Sequence, residues 1–236
     1  MKLSTLGCAM LLAMSTMSAT AFAQDEAEDD YKPFAATLTA TTDYVWRGAS
    51  QTDGGPAFQV DFNYTAPFGM YVGAFASNVD FGEDDPAEWE SDFYIGYNVD
   101  LGEHVNFDVM LNRYTYGAAS DQNWNDLITK TTVFDHYSLT LAYSNDSWAT
   151  GKDGYYAALG GDWELPAGFT LGVSYGRSFF STPADIEDYS DYSVSVGHDF
   201  GPLNLSVGWY GTDKAGKRVN GDSADNRVAV TATVNL

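Results

Sequence analysis

Twelve segments that alternate apolar and polar residues, connections that sort by parity into long and short, and aromatics gathered at both segment ends predict an all-β chain. The architecture they predict is a transmembrane, antiparallel, up-and-down β-barrel of about 12 strands.

The alternation is clearest at the C-terminal end. Val228, Val230, Ala232, Val234 and Leu236 share one face, against Arg227, Ala229, Thr231, Thr233 and Asn235 on the other. Leu203, Leu205, Val207 and Trp209 oppose Asn204, Ser206, Gly208 and Tyr210, and Phe58, Val60, Phe62 and Tyr64 oppose Gln59, Asp61, Asn63 and Thr65. The segments start near residues 34, 56, 69, 88, 104, 125, 136, 154, 168, 189, 202 and 226, and those at 69 and 125 alternate poorly. No run of 18 apolar residues follows the N-terminal region, so no spanning helix is expected.

Alternation alone also suits a soluble β-sandwich, in which the apolar face turns inward. The connections decide against it. Six are long (RGASQTDGGP, FGEDDPAE, YGAASDQN, NDSWATGKDG, STPADIEDYS and TDKAGKRVNGDSADN) and alternate with five tight ones (APFG, DLGEH, FDH, LPAG and DFGP). Long outer loops and short inner turns are the habit of outer-membrane barrels, and an even strand count returns both ends to one side. Trp46, Trp89, Trp124 and Trp209 fall at the long-loop ends, and Tyr64, Tyr71, Tyr97, Tyr137, Phe169 and Phe200 near the tight turns. This sorting is expected of two interfacial girdles.

The N-terminus reads as a secretory signal peptide over 1–23: a Met1-Lys2 start, an apolar stretch, and the small-x-small site Ala21-Phe22-Ala23 before Gln24. Residues 24–33 form a short acidic lead-in and 34–236 the barrel. Cys8, the chain's single cysteine, lies in the signal, which excludes a disulfide framework and argues against thiolate metal sites; no cofactor is expected. With 33 Asp+Glu against 11 Lys+Arg, nucleic acid is not a partner.

The segments DYVWRGASQTDGGPAFQ (43–59), ASNVDFG (76–82), LPAGFTLGVSYG (165–176) and DYSDYSVSVGHDFGPLNLSVGWYGTD (188–213) resemble the TorF-type porin family. These are small, conserved, proteobacterial outer-membrane barrel proteins. The resemblance covers essentially the whole mature chain and implies an outer-membrane barrel with a channel role. It supplies no catalytic residues. Leu236 departs from the terminal aromatic usual in such barrels.

If the apolar parity faces lipid, the other faces the lumen, where Asp43, Asp61, Asp92, Asp108, Asp162 and Glu164 face three cations, Arg47, Lys130 and Arg227. Lys130 is placed inside because a mid-membrane lysine facing lipid costs about 2–4 kcal/mol. First and last strands pair on closure, so Arg47 and Arg227 are expected to be neighbours, with Asp43 four residues below Arg47. This cluster reads either as a constriction that screens solutes by charge or as a salt-bridge network in a partly filled lumen. The excess of acid predicts passage of small neutral, zwitterionic or cationic solutes; a non-conducting barrel that binds partners through acidic loops is the alternative. Lipid, lipopolysaccharide and the barrel-assembly machinery are the expected partners. The loop acids Glu83, Asp84, Asp85, Asp185, Glu187, Asp188 and Asp222 lack the spacing of a calcium loop and read as solvated charge. His104, His136 and His198 fall at the inner ends of different segments, and no G-x-S-x-G elbow or phosphate loop is present, so no enzyme is expected.

Overall fold

The computed structural model describes residues 31–181 and 186–236. The signal-peptide reading, most of the acidic lead-in and Asp185 lie outside the described residues. The barrel strands are β1 (Phe34–Thr41), β4 (Ala57–Thr65), β5 (Met70–Asn78), β6 (Trp89–Asp100), β7 (Val105–Tyr116), β8 (Trp124–Val133) and β9 (Tyr137–Ser144). They continue with β10 (Gly154–Leu165), β11 (Phe169–Phe180), β12 (Tyr189–Phe200), β13 (Leu203–Thr212) and β14 (Arg227–Asn235). Two two-residue strands, β2 (Val45–Trp46) and β3 (Ala49–Ser50), form a separate hairpin within the first long connection, and α1 (Lys214–Asn220) lies in the last.

The sheet is a closed 12-stranded antiparallel barrel in which each strand pairs with its sequence neighbours and β1 pairs with β14. Observed starts lie within one residue of those read from alternation. A twelve-residue strand tilted by about 40° rises about 30 Å along the axis, enough for a hydrocarbon core. The closing seam carries a polar ladder on its lumenal face. Thr37 donates to Asn235 Oδ1 at 3.1 Å, while Thr39 and Thr233 (3.2 Å) and Thr41 and Thr231 (2.9 Å) share hydroxyl hydrogen bonds.

The outer wall is apolar all round: Phe58, Phe62, Phe93, Ile95, Leu111, Leu127, Leu141, Leu159, Val196, Val207 and Val230 are all exposed. A belt this wide and continuous would drive aggregation in water and is matched to hydrocarbon. Trp89 and Trp209 stand on this outer surface near the long loops, and Tyr64, Tyr97, Tyr137, Phe169 and Phe200 near the tight turns. Three expected girdle members do not. Trp46 (9 % exposed), Trp124 (3 %) and Tyr71 (3 %) are buried inside the barrel. Their positions near strand ends matched a girdle, but parity sends Tyr71 and Trp124 inward, and Trp46 has left the wall altogether.

The same fact explains the poor alternation of β5 and β8. Their lumenal faces carry apolar residues as well: Tyr71 and Phe75 on β5, and Trp124 and Ile128 on β8 beside Asp126 and Lys130, pack into clusters within the bore. Three tyrosines there share one construction. Tyr94 on β6 lies over Gly73 on β5 and donates to Asp61 on β4 at 2.9 Å. Tyr71 on β5 lies over Gly96 on β6 and donates to Asp108 on β7 at 2.8 Å. Tyr156 on β10 lies over Gly176 on β11 and donates to Asp191 on β12 at 3.1 Å. In each case a Cβ on the glycine would overlap the tyrosine, so the glycine clears the path by which a phenol spans one strand to reach a carboxylate on the next. Packing a ring over a strand glycine also restores the contact area that the glycine lacks.

Candidate functional site: an in-folded hairpin across the bore

β1 leaves the wall at Thr41, and residues 43–52 turn into the lumen rather than outward, before an exposed return through residues 53–56. The strip Asp43-Tyr44-Val45-Trp46-Arg47-Gly48 explains how, residue by residue. Asp43, buried, is the anchor: its Oδ1 accepts from Ser50 Oγ at 2.6 Å and its Oδ2 from Arg227 Nη1 at 2.7 Å. Arg227 further donates to the carbonyls of Asp222, Ser223 and Asp225, which ties the last long loop to the root of the first. Tyr44 donates its hydroxyl to Glu90 on β6 at 3.0 Å. Val45 packs with Tyr210 and Ala229 on the seam side. Trp46 meets Tyr114 and Trp124 edge-to-face on the far side.

The tip is Arg47-Gly48. Both residues are left-handed (φ 45° and 79°), the signature of a type I′ turn between β2 and β3. Glycine is required at the second position on two counts, since a Cβ on Gly48 would also sit 2.6 Å from Thr212 Cγ2, 2.8 Å from the Gly211 carbonyl and 2.9 Å from Asp191 Cβ. An arginine at the first position is strained by about 1–2 kcal/mol. What holds it is on the opposite wall: Arg47 Nη2 donates to Asp126 Oδ2 of β8 at 3.0 Å, with side-chain exposures of 7 % and 2 %. The guanidinium lies 4.1 Å from the centre of the Trp46 ring and 4.2 Å from that of Tyr156, so two aromatic rings pack on it. A chain that enters from the seam is thus latched to strands on the far side of the barrel.

Asp43 and Arg227 meet as a pair, but Arg47 does not join them. The expectation that Arg47 and Arg227 are neighbours with Asp43 below Arg47 took residues 43–47 as a continuation of β1. Because the strand ends at Thr41, Arg47 travels across the bore and its partner is Asp126. Asp92 is buried on β6 and accepts from Asn112 at 3.2 Å. Asp61 and Asp108 are the tyrosine-bound carboxylates described above. Lys130 is lumenal, directly opposite Asp108 in the β7–β8 register, but it lies four residues further toward the inner turns than Asp126 and is not part of the hairpin cluster. Glu90, Asp126 and Asp191, buried lumenal acids that make the contacts above, were not singled out from sequence. Parity would have found them: Glu90 has the phase of Asp92, and Asp126 that of Lys130.

Below the hairpin the bore has two unlike sides. β5 through β10 contribute Tyr71, Tyr94, Met110, Ile128 and Tyr156 to one apolar cluster. β11 through β14 and β1 contribute short, mostly hydroxylated side chains, among them Ser174, Ser206, Thr231 and Thr39.

Above the hairpin the long connections close over it. Phe180, Tyr189 and Ala215 of α1 pack together with Trp148, Ile186 and Val219. Arg218 of α1 holds Glu187 at 2.7 Å across two loops, and these hydrogen bonds set the Glu187 carboxyl below the ordinary glutamate range. Asp85 accepts from Gln122 at 2.7 Å and Asp188 from the Phe180 amide at 2.9 Å, so several loop acids are structural acceptors. Among the described residues no group of His, Cys, Asp or Glu gathers to hold a metal.

Comparison places this geometry among known proteins. The profile of a family described as "Bacterial protein of unknown function (Gcw_chp)" matches residues 25–235. The chain belongs to this family. The description of Gcw_chp names neither a TorF-type porin nor transport. A search of curated proteins finds no match. Among solved structures, this Gcw_chp chain is similar to the NanC porin (7 % identity, TM-score 0.51, covering 86 % of this chain and 97 % of that one). It is also similar to a structure from a study of the in-meso crystallization of membrane proteins (8 %, TM-score 0.52, 86 % and 83 %). The outer membrane protein OprD from Pseudomonas aeruginosa aligns at 12 % identity and TM-score 0.39; 88 % of the Gcw_chp chain is covered, and it spans 65 % of OprD. At such identities the likeness to the NanC porin and to the in-meso structure is one of fold.

Proposed function

We propose that the protein is an outer-membrane channel for the passive diffusion of small solutes, with the 43–52 hairpin as its constriction. The observation that carries this reading is the latch between Arg47 and Asp126, which holds a strained turn across the bore while the wall from β11 to β1 carries short polar side chains below it. A barrel filled for stability alone has no need of a charged, strained tip reaching from one wall to the other.

Selectivity follows from the lumenal charges. Asp43, Asp61, Glu90, Asp92, Asp108, Asp126, Asp162 and Asp191 face Arg47, Lys130 and Arg227. The excess of acid repels anions and favours cations, zwitterions and neutral solutes, and the in-folded hairpin limits them to small ones. Lipopolysaccharide around the apolar belt and the barrel-assembly machinery during insertion are the partners this location calls for. The reading assigns no catalysis to the barrel. The ring nitrogens of His136 and His198 bond to the backbone carbonyls of Asp162 on β10 (3.0 Å) and of Ala167 in the β10–β11 turn (3.1 Å).

Planar-bilayer recording tests the proposal. The wild-type barrel is expected to give small, cation-preferring steps, and Arg47→Ala larger ones. An anion-selective reversal potential would overturn the selectivity. The apolar cluster around Tyr71, Tyr94 and Tyr156 favours a second reading, a closed barrel with a structural role. Silence from both wild type and Arg47→Ala would establish that reading and sink the channel.

A further inference from the structure

Between the hairpin and the outer loops lies a cavity of about 280 Å³, just under the size at which pockets for drug-sized ligands begin. At about 30 Å³ per water it has room for about nine non-hydrogen atoms. Its walls are aromatic on several sides: Trp46 from the hairpin, Tyr114 and Trp124 from β7 and β8, and Trp148 from the fourth long loop. Tyr114 and Trp124 stack face to face at 4.3 Å, giving a flat and rigid panel. The charged side chains in the lining are Glu90 and Asp85, and neither lysine nor arginine contributes to it. Arg47, immediately below, is already committed to Asp126 and packed against two rings. The Trp46 indole N–H, on a residue of this lining, is buried without a hydrogen-bond partner in the protein.

We propose that this cavity is a binding site for a small alkylammonium cation of about the size of choline. Ring faces present negative charge, the two carboxylates add to it, and an anion would meet no compensating cation. A quaternary ammonium needs no hydrogen bonds and gains from close aromatic contact on every side. A chain with 33 acidic and 11 basic residues also draws cations toward its mouth by its overall field. The inference does not depend on conduction, because the cavity sits on the outer side of the hairpin.

Tryptophan fluorescence of the full barrel in detergent micelles at pH 8 reads the binding directly, since Trp46, Trp124 and Trp148 line the site. Choline is the probe, and 3,3-dimethylbutan-1-ol, its uncharged isostere, is the control; glucose serves as a neutral polyol. Choline is expected to bind at least tenfold more tightly than the isostere, about 1.4 kcal/mol. Glu90→Gln, which keeps shape, is expected to remove most of that difference while leaving the weak binding of the isostere unchanged. Equal binding of choline and isostere, tighter binding of glucose, or no saturable change with any of the three would overturn the proposal. A silent bilayer recording beside a positive choline titration would refute the channel and leave this site standing.

Discussion

Asp126→Ala removes the ion-pair partner of a guanidinium whose side chain is 7 % exposed, and leaves that charge beside two rings with no hydrogen-bonded carboxylate. Breaking a buried pair from one side costs about 3–5 kcal/mol. The turn it stabilises already carries about 1–2 kcal/mol of strain at Arg47, so the cost falls on the in-folded state of residues 43–52 rather than on the barrel wall. At 1.4 kcal/mol per factor of ten, the fraction of time the hairpin spends released rises by about 10²–10³. Ala49 is 5 % exposed and sits beside the tip, which makes Ala49→Cys a reporter of release. Thiol labelling from the outer side should accelerate by about two orders of magnitude in Ala49→Cys/Asp126→Ala relative to Ala49→Cys alone. Adding Arg47→Ala to remove the stranded charge should recover part of the protection, and the double-mutant cycle isolates the pair. Acceleration of less than threefold would refute the latch, because it would show that the hairpin stays folded without its partner on β8.

Three further outcomes follow from named contacts. Gly48→Val should expel the hairpin as effectively as loss of the latch, since its Cβ meets Thr212, Gly211 and Asp191 within 2.9 Å and its φ of 79° disfavours a branched side chain; the same labelling assay reads it. Arg227→Ala strands Asp43 and frees three loop carbonyls, so urea unfolding in micelles should show about 3–5 kcal/mol of lost stability, and Arg227→Lys should recover little of it because an ammonium cannot make the forked contacts. Acidification should loosen the loop contact of Glu187 with Arg218. The folded carboxyl titrates below its ordinary value, so its contribution is complete at neutral pH and is lost as pH falls through that lower value; proteolysis of the outer loops, faster in acid for wild type but pH-insensitive in Glu187→Gln, would show it.

Most of the wall was legible in the linear sequence. A strand that faces lipid on one side and a polar bore on the other must alternate, and a barrel inserted from within must have short turns on one side, so segment starts, parity and strand number could be read without a structure. Parity likewise placed Asp61, Asp92, Asp108 and Arg227 in the lumen, the cost of a lysine facing lipid placed Lys130 there, and parity would have placed Glu90, Asp126 and Asp191 there too. Alternation weakened at β5 and β8, where some inner positions are themselves apolar. That weakness was a signal of a packed bore.

The path of residues 42–56 was decided only in three dimensions. Alternation reports which side of a sheet a residue faces while it remains in the sheet, and Tyr44-Val45-Trp46 looks the same whether it prolongs β1 or leaves it. The choice rests on partners distant in sequence: Arg227 for Asp43, Asp126 for Arg47, and the Gly211–Thr212 backbone that Gly48 alone can approach. Sequence determined the lipid-facing barrel because one solvent imposes one period on every strand. Tertiary structure decided how the bore is closed, because that depends on which buried charges meet across it.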